Sequence, residues 1–257
     1  PCKIHVIGTP VASDKIIASA STHPELNAQP QELLTLLTFP NSPYLFMGRF
    51  TVEKNLTIYF APKSDLNQKK INWKPLTSVS DEIQNIVAYG DDLYLLSSKG
   101  NPHFDILKTN LKNPDLKKAE VVFKGNSEWK ISKIYAARDF IVINKSKNEL
   151  VIKPSFYNLK TGKISSPEIN LEGNIKAKNF STQDNEILLT NSGWHIPNQF
   201  STLDMETEKI TKNPFEIVYN MPFLKNLVVE EIEVKSHDGA MVPLSIIYDK
   251  TKVKRDG

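Results

Sequence analysis

The stretch that comes nearest to a catalytic nucleophile is Gly125-Asn126-Ser127-Glu128-Trp129. A serine presented on a strand-to-helix elbow needs glycine on either side, because the strained turn leaves no room for larger groups. Trp129 stands where the second glycine would be, so Ser127 reads as a turn residue. A serine nucleophile also requires a histidine base and an orienting carboxylate. The five histidines, His5, His23, His103, His195 and His237, are spread along the chain and none follows an elbow. His237 and Asp238 are adjacent, but neighbours on a hairpin point to different sides, and the pair reads as turn chemistry. The sequence assigns no catalytic residue.

Other chemistries find no better support. No two histidines or carboxylates stand four apart on a credible helix, so no metal site is assigned. Glu230, Glu231 and Glu233 read as an acidic strand on an exposed edge or an interdomain face. There is no glycine-rich phosphate loop and hence no nucleotide or other cofactor to expect. The single cysteine, Cys2, rules out an internal disulfide framework and a cysteine zinc site. Trp73, Trp129 and Trp194 recur near strand starts or turns, where large rings fill the wedge between twisted sheets. Trp194 is the one that could instead meet a peptide, because Gly193-Trp194-His195-Ile196-Pro197 reads as a loop.

The 257 residues are 40% hydrophobic and 24% charged, with a net charge of +3 from scattered lysines. That is the composition of an ordinary soluble globular protein and not of a nucleic-acid binder. No apolar run approaches the roughly 20 residues of a membrane helix. The chain opens on Pro1, so its natural N-terminus is expected to lie upstream. A cytoplasmic location is the expectation, with a periplasmic one left open.

Around these residues the sequence is almost free of helical patterning. Pro30 to Leu37 is the best helical candidate. A strand-plus-turn phrase recurs at 56–60, 106–111, 155–159 and 200–204, each followed by a polar turn, at roughly 45–50 residues, the spacing of four-stranded propeller blades. Matching apolar strands lie between them at 92–96, 140–143 and 186–189. A β-sandwich with regular hairpins would show turns every 8–12 residues without the longer period. About four blades are therefore expected between Val11 and Phe215, preceded by a leftover strand at Lys3–Val6. The segments 56–60, 106–111, 155–159 and 200–204 should be equivalent outer strands. Alternating residues of Ile83–Val87, Ile131–Tyr135 and Ile175–Phe180 should line the central axis, with Lys133 and Lys178 as polar channel groups.

The C-terminal segment carries the strongest motif. Ile232-Glu233-Val234 runs into Ser236-His237-Asp238-Gly239, and Met241-Val242-Pro243-Leu244-Ser245-Ile246-Ile247-Tyr248 leaves it. Asp-Gly between two apolar runs is a hairpin signal. This unit, followed by the basic stretch 250–255 and Asp256-Gly257, resembles the entry into the catalytic domain of the prolyl-oligopeptidase family of serine peptidases. Lys3–Pro10, Asp92–Ser98 with Asn101–Ile106, and Leu188–Pro197 resemble that family's blade phrases, and the resemblance implies that the stretch from Pro30 to Leu37 begins a strand and not a helix. Ser97-Ser98 stands where the family usually has Thr-Asn, and Asp105 where it has a basic residue or leucine. Pro243-Leu244-Ser245 leans toward the oligopeptidase B side.

The resemblance implies an all-β fold: the later part of a seven-bladed propeller over residues 1–228, then the first strands of an α/β-hydrolase domain over 229–257. It implies a parent serine-type endopeptidase whose Ser-His-Asp site lies in that further domain. The propeller would cap the site and admit only short peptides. A family loop that reaches the substrate pocket matches Gly48–Asn55, making Phe50 and Thr51, with Trp194, the candidates for facing substrate. The implied partners are the hydrolase domain and short peptides, with neither nucleic acid nor membrane. Self-association through exposed blade flanks is expected as well. The alternative is a free-standing β-propeller serving as a protein-interaction scaffold.

Overall fold

The computed structural model describes residues 1–148, 150–214 and 220–253. Among them there is no α-helix, only strands and short 3-10 turns. The segment from Pro30 illustrates why. Leu33–Thr38 is a strand, because Leu34 and Leu36 alternate with Leu33 and Thr35 as a pleated strand requires.

Four antiparallel meanders follow one another, each of four strands in sequence order. Blade I is Leu33–Thr38, Tyr44–Phe50, Thr57–Pro62 and Lys74–Thr77. Blade II is Ile83–Tyr89, Asp92–Ser97, Asp105–Asn110 and Glu120–Lys124. Blade III is Lys130–Ala136, Phe140–Lys147, Val151–Asn158 and Ile164–Ser165. Blade IV is Asn174–Asn179, Glu186–Ser192, Gln199–Asp204 and Ile210–Lys212. A two-stranded sheet of Cys2–Ile4 and Lys15–Ala18 precedes them. The blades therefore begin at Leu33 and not at Val11, since Lys15–Ala18 pairs with the leftover N-terminal strand. A separate hairpin of Leu227–Lys235 and Met241–Asp249 closes the described chain.

The period-2 geometry of the second strand of each blade builds the core. In blade II, Leu93 and Leu95 turn toward Phe46 and Ile58 of blade I. Tyr94 and Leu96 turn the other way, to Ile131, Ile141 and Ile143 of blade III. Val142 of blade III faces Ile187 and Leu189 of blade IV. A strand covered on both faces reads as an unbroken apolar run, as Leu93-Tyr94-Leu95-Leu96 does. Each such side chain contributes about 1.5–3 kcal/mol by leaving water. The outer face of blade IV lacks this cover, and Phe180 and Phe200 are 61% and 37% exposed.

The recurring phrases at 56–60, 106–111, 155–159 and 200–204 are equivalent, as their spacing predicts. Each falls in the third strand of its blade, so the expectation of an outer position is corrected by one place. The outermost strand is the shorter fourth one, such as Ile164–Ser165. The expected channel strands are the first strands of blades II to IV, which touch one another from blade to blade. Lys133 and Lys178 are exposed on them, and the Lys178 Nζ lies 6.0 Å from the Tyr135 ring centroid. Phe180 lies just past its strand.

Blades III and IV are bonded through an amide side chain. Asn144 Nδ2 donates to the Ala177 carbonyl and the Ala177 amide donates to Asn144 Oδ1, both at 2.8 Å.

Candidate functional site

In an up-and-down meander the turns alternate between two ends of the blade. The turns joining second to third strands therefore share one end with the connections from blade to blade. Phe50, Thr51 and Trp194 all lie at that end, the first two in blade I and Trp194 in blade IV. The fold does not bring them into one cluster.

Arg49 anchors the blade I turn at its base. Its Nε donates to Glu32 Oε2 at 2.8 Å and its Nη2 to Glu32 Oε1 at 2.7 Å, while Nη1 donates to the Leu26 carbonyl at 3.1 Å. These bonds hold the Glu32 carboxyl below the usual carboxylate range and raise the Arg49 guanidinium. The next residue, Phe50, is half-buried. Its ring folds back over Gly48 so closely that a Cβ there would meet Cε2 at 2.2 Å. Thr51 is exposed, and its Oγ1 accepts from the Glu53 amide at 2.9 Å. Phe50 is thus a half-buried ring at the base of the turn, followed by an exposed Thr51.

Trp194 is 61% exposed. Its turn is closed by Gly193 and Ile196, each amide donating to the other's carbonyl, at 3.0 and 3.3 Å. Below it Asn191 Nδ2 donates to the Glu172 carbonyl and Gln199 Oε1, both at 3.1 Å. The His195 Nε2 stands 3.3 Å from Glu172 Oε1. Val229 and Glu231 of the C-terminal hairpin line a cleft of about 240 Å³ together with Leu150, Trp194 and His195. The hairpin therefore emerges at the same end of the blades as the candidate residues.

The remaining motifs take structural roles. Ser127 sits in a turn where Asn126 Oδ1 accepts from the amides of Glu128 and Trp129. Gly125 is required for its closeness to the backbone, since a Cβ there would stand 2.0 Å from the His103 carbonyl oxygen. His237 Nδ1 lies 3.3 Å from Ser236 Oγ, whereas Asp238 Oδ1 accepts from the Ala240 amide at 3.1 Å. The two do not form a dyad.

At the opposite end lies a repeated latch that sequence reading missed. The carbonyls of Pro43, Asp91, Asp139 and Asn185 accept from the amides of Lys63, Leu111, Leu159 and Met205. In blades II and III the residue after that leucine closes an ion pair. Lys112 Nζ reaches Asp91 Oδ2 at 2.7 Å and Lys160 Nζ reaches Asp139 Oδ1 at 2.9 Å. Asp139 is buried, which raises its carboxyl, yet bonds from Asn185, Lys160 and Arg138 hold it below the usual range. The signal was an Asp…Leu-Lys phrase repeated at about 48 residues.

Face-to-face stacking of four-stranded meanders with first strands in contact defines a β-propeller. The chain belongs to the prolyl oligopeptidase N-terminal β-propeller domain family, which matches residues 3–215. Prolyl oligopeptidase B from Galerina marginata, solved with a 35mer hydrolysis and macrocyclization substrate, is similar at 18% identity and a TM-score of 0.75, over 97% of this chain and 35% of that one. A prolyl endopeptidase is similar at 16% identity and a TM-score of 0.77, over 99% of this chain and 36% of that one. Oligopeptidase B from Trypanosoma brucei, with covalently bound antipain in a closed form, is similar at 14% identity and a TM-score of 0.72, over 98% and 36%. At these identities the likeness shows the fold. The chain spans about a third of the length of each of these enzymes. No protein of curated function matches the sequence.

Proposed function

We propose that this chain is the propeller part of a serine oligopeptidase, joined in the whole protein to an α/β-hydrolase domain that carries a Ser-His-Asp site. Residues 1–228 are the propeller in this reading and 229–257 the first strands of the catalytic domain, a boundary that falls within the strand Leu227–Lys235. The propeller walls off the site, so that short or unstructured peptides reach it and folded proteins do not. Phe50, Thr51 and Trp194 face the substrate.

The observation that carries this reading is the position of the hairpin. It lies against the Trp194 turn, at the end of the blades that also holds Phe50 and Thr51, and so a domain continuing from it would cover that end. Its exposed residues include apolar ones, Met241 at 54% and Leu244 at 47% among them. Exposed apolar surface of this kind marks an interface, and the domain continuing from the hairpin would cover it.

The test is an assay with short fluorogenic peptides carrying proline or arginine. The 257-residue chain should be inert, and the protein extended through the hydrolase domain should cleave them while sparing folded proteins. Turnover by the chain alone, or an inert extended protein, would refute the reading.

A further inference from the structure

Blade III carries a cationic cleft that the proposed gating role does not use. Lys145 and Lys153 are direct partners in the ladder between its second and third strands. Directly opposed residues project from the same face, and like charges in that relation repel. The Lys145 Nζ lies 5.2 Å from the centroid of the Trp129 ring. Neither lysine has a carboxylate within ion-pairing distance among the described residues. Glu128, the nearby acid, is engaged by Lys147 at 3.2 Å, and Glu168 lines the cleft without pairing either amine. Burial holds the Lys145 ammonium below the usual lysine range, and Lys153 adds to the effect.

The cleft measures about 550 Å³, and Trp129, Pro154, Pro167 and Ile169 give it apolar walls. That size lies within the roughly 300–1,000 Å³ of small-ligand sites. Two unneutralised ammonium groups beside an aromatic and aliphatic wall suit an anion borne on a carbon chain. A bare inorganic anion would leave the wall unused.

We propose that this cleft binds a carboxylate group of a peptide, with Lys145 and Lys153 holding the anion between them and the Trp129–Pro154–Ile169 wall packing the chain that carries it. The inference stands apart from the peptidase reading, because it concerns binding by the propeller itself.

Calorimetric titration of the 257-residue chain at low salt tests it with three pentapeptides of otherwise neutral sequence. One ends in a free carboxylate, one is amidated and contains a glutamate, and one is amidated and neutral. The first two should bind at least about tenfold more tightly than the third, the ratio given by one charge-assisted contact. The stronger of the two identifies a terminal or a side-chain carboxylate, and either result supports the site. Lys145→Met and Lys153→Met should each weaken binding about tenfold, Glu168→Gln should strengthen it, and added salt should weaken it. Lys153 is exposed, so its variant remains testable if the Lys145 variant does not fold. Equal affinity for the neutral peptide, unchanged binding by Lys153→Met, or tighter binding of inorganic phosphate than of either acidic peptide overturns the proposal.

Discussion

Glu32 and Arg49 meet through two parallel hydrogen bonds across blade I, with both side chains largely shielded from water. A planar guanidinium matched to a carboxylate in this way fixes geometry as well as charge. The pair ties the approach to the first strand to the base of the turn that holds Phe50 and Thr51. Glu32→Gln should destabilise the fold by about 2 kcal/mol, because a partly buried guanidinium loses its charged acceptor. Arg49→Lys should not rescue the loss, since an ammonium cannot make the two-pronged contact. Urea melts of the two single variants and the double variant measure the coupling, and additive effects would dismiss it.

Acid should weaken the protein in two stages. His23 is 3% exposed, and burial lowers its pKa, partly opposed by Glu25. A histidine whose folded pKa is lowered contributes stability in full above its unfolded value near 6.5, and the contribution is lost as pH falls below that value. Glu32 and Asp139 have lowered carboxyl pKa values, so their contribution is present above about pH 4 and lost below it. Thermal melts should fall first below about pH 6.5 and again below about pH 4. His23→Gln should remove only the first decline, and a wild-type-like profile in that variant would contradict the assignment.

In the extended enzyme, Trp194→Ala and Phe50→Ala should lower kcat/KM for peptides long enough to touch the propeller by about tenfold, the cost of one lost aromatic contact. Dipeptide-sized substrates should be cleaved at the parental rate. Equal loss on both substrate sizes would mean that the residues act through folding and not through contact.

The chain should also self-associate as its concentration rises. Phe180, Phe200 and the apolar outer residues of the hairpin are exposed together with unpaired strand edges, and such surfaces find partners. Light scattering across a concentration series should show growing mass, and Phe180→Ser with Phe200→Ser should reduce it. A constant monomer mass would rule out these flanks.

The blade count was legible because a strand buried on both faces must be apolar throughout. Leu93-Tyr94-Leu95-Leu96 and Phe140-Ile141-Val142-Ile143 announce themselves in that way. The Asp238-Gly239 turn was legible for a local reason, since Gly239 takes a φ of +89° that other residues avoid. The fourth strand of blade III was misplaced because it is short and solvated: Ile164–Ser165 is only two residues long and exposed, and leaves no pattern. Long-range pairings were invisible for another reason. Nothing in the neighbourhood of Asn144 marks it as a partner of Ala177, and nothing near Arg49 points to Glu32. The lysines of the blade III cleft read as scattered charge until the ladder register set them opposite each other.

The amide of Asn144 completes with Ala177 the pair of bonds that a neighbouring strand would supply, and so it behaves as a rivet between two sheets. Its consequence is mechanical. Stretched between its ends in an optical trap, the protein should release blades III and IV in a single step. Asn144→Ala should lower the force needed for that step, because it removes two of the bonds across the seam and leaves the sheets held by Asn174 to the Ile152 amide and by Asn185 to Asp139. Two steps in the unaltered chain would show that the rivet bears no load.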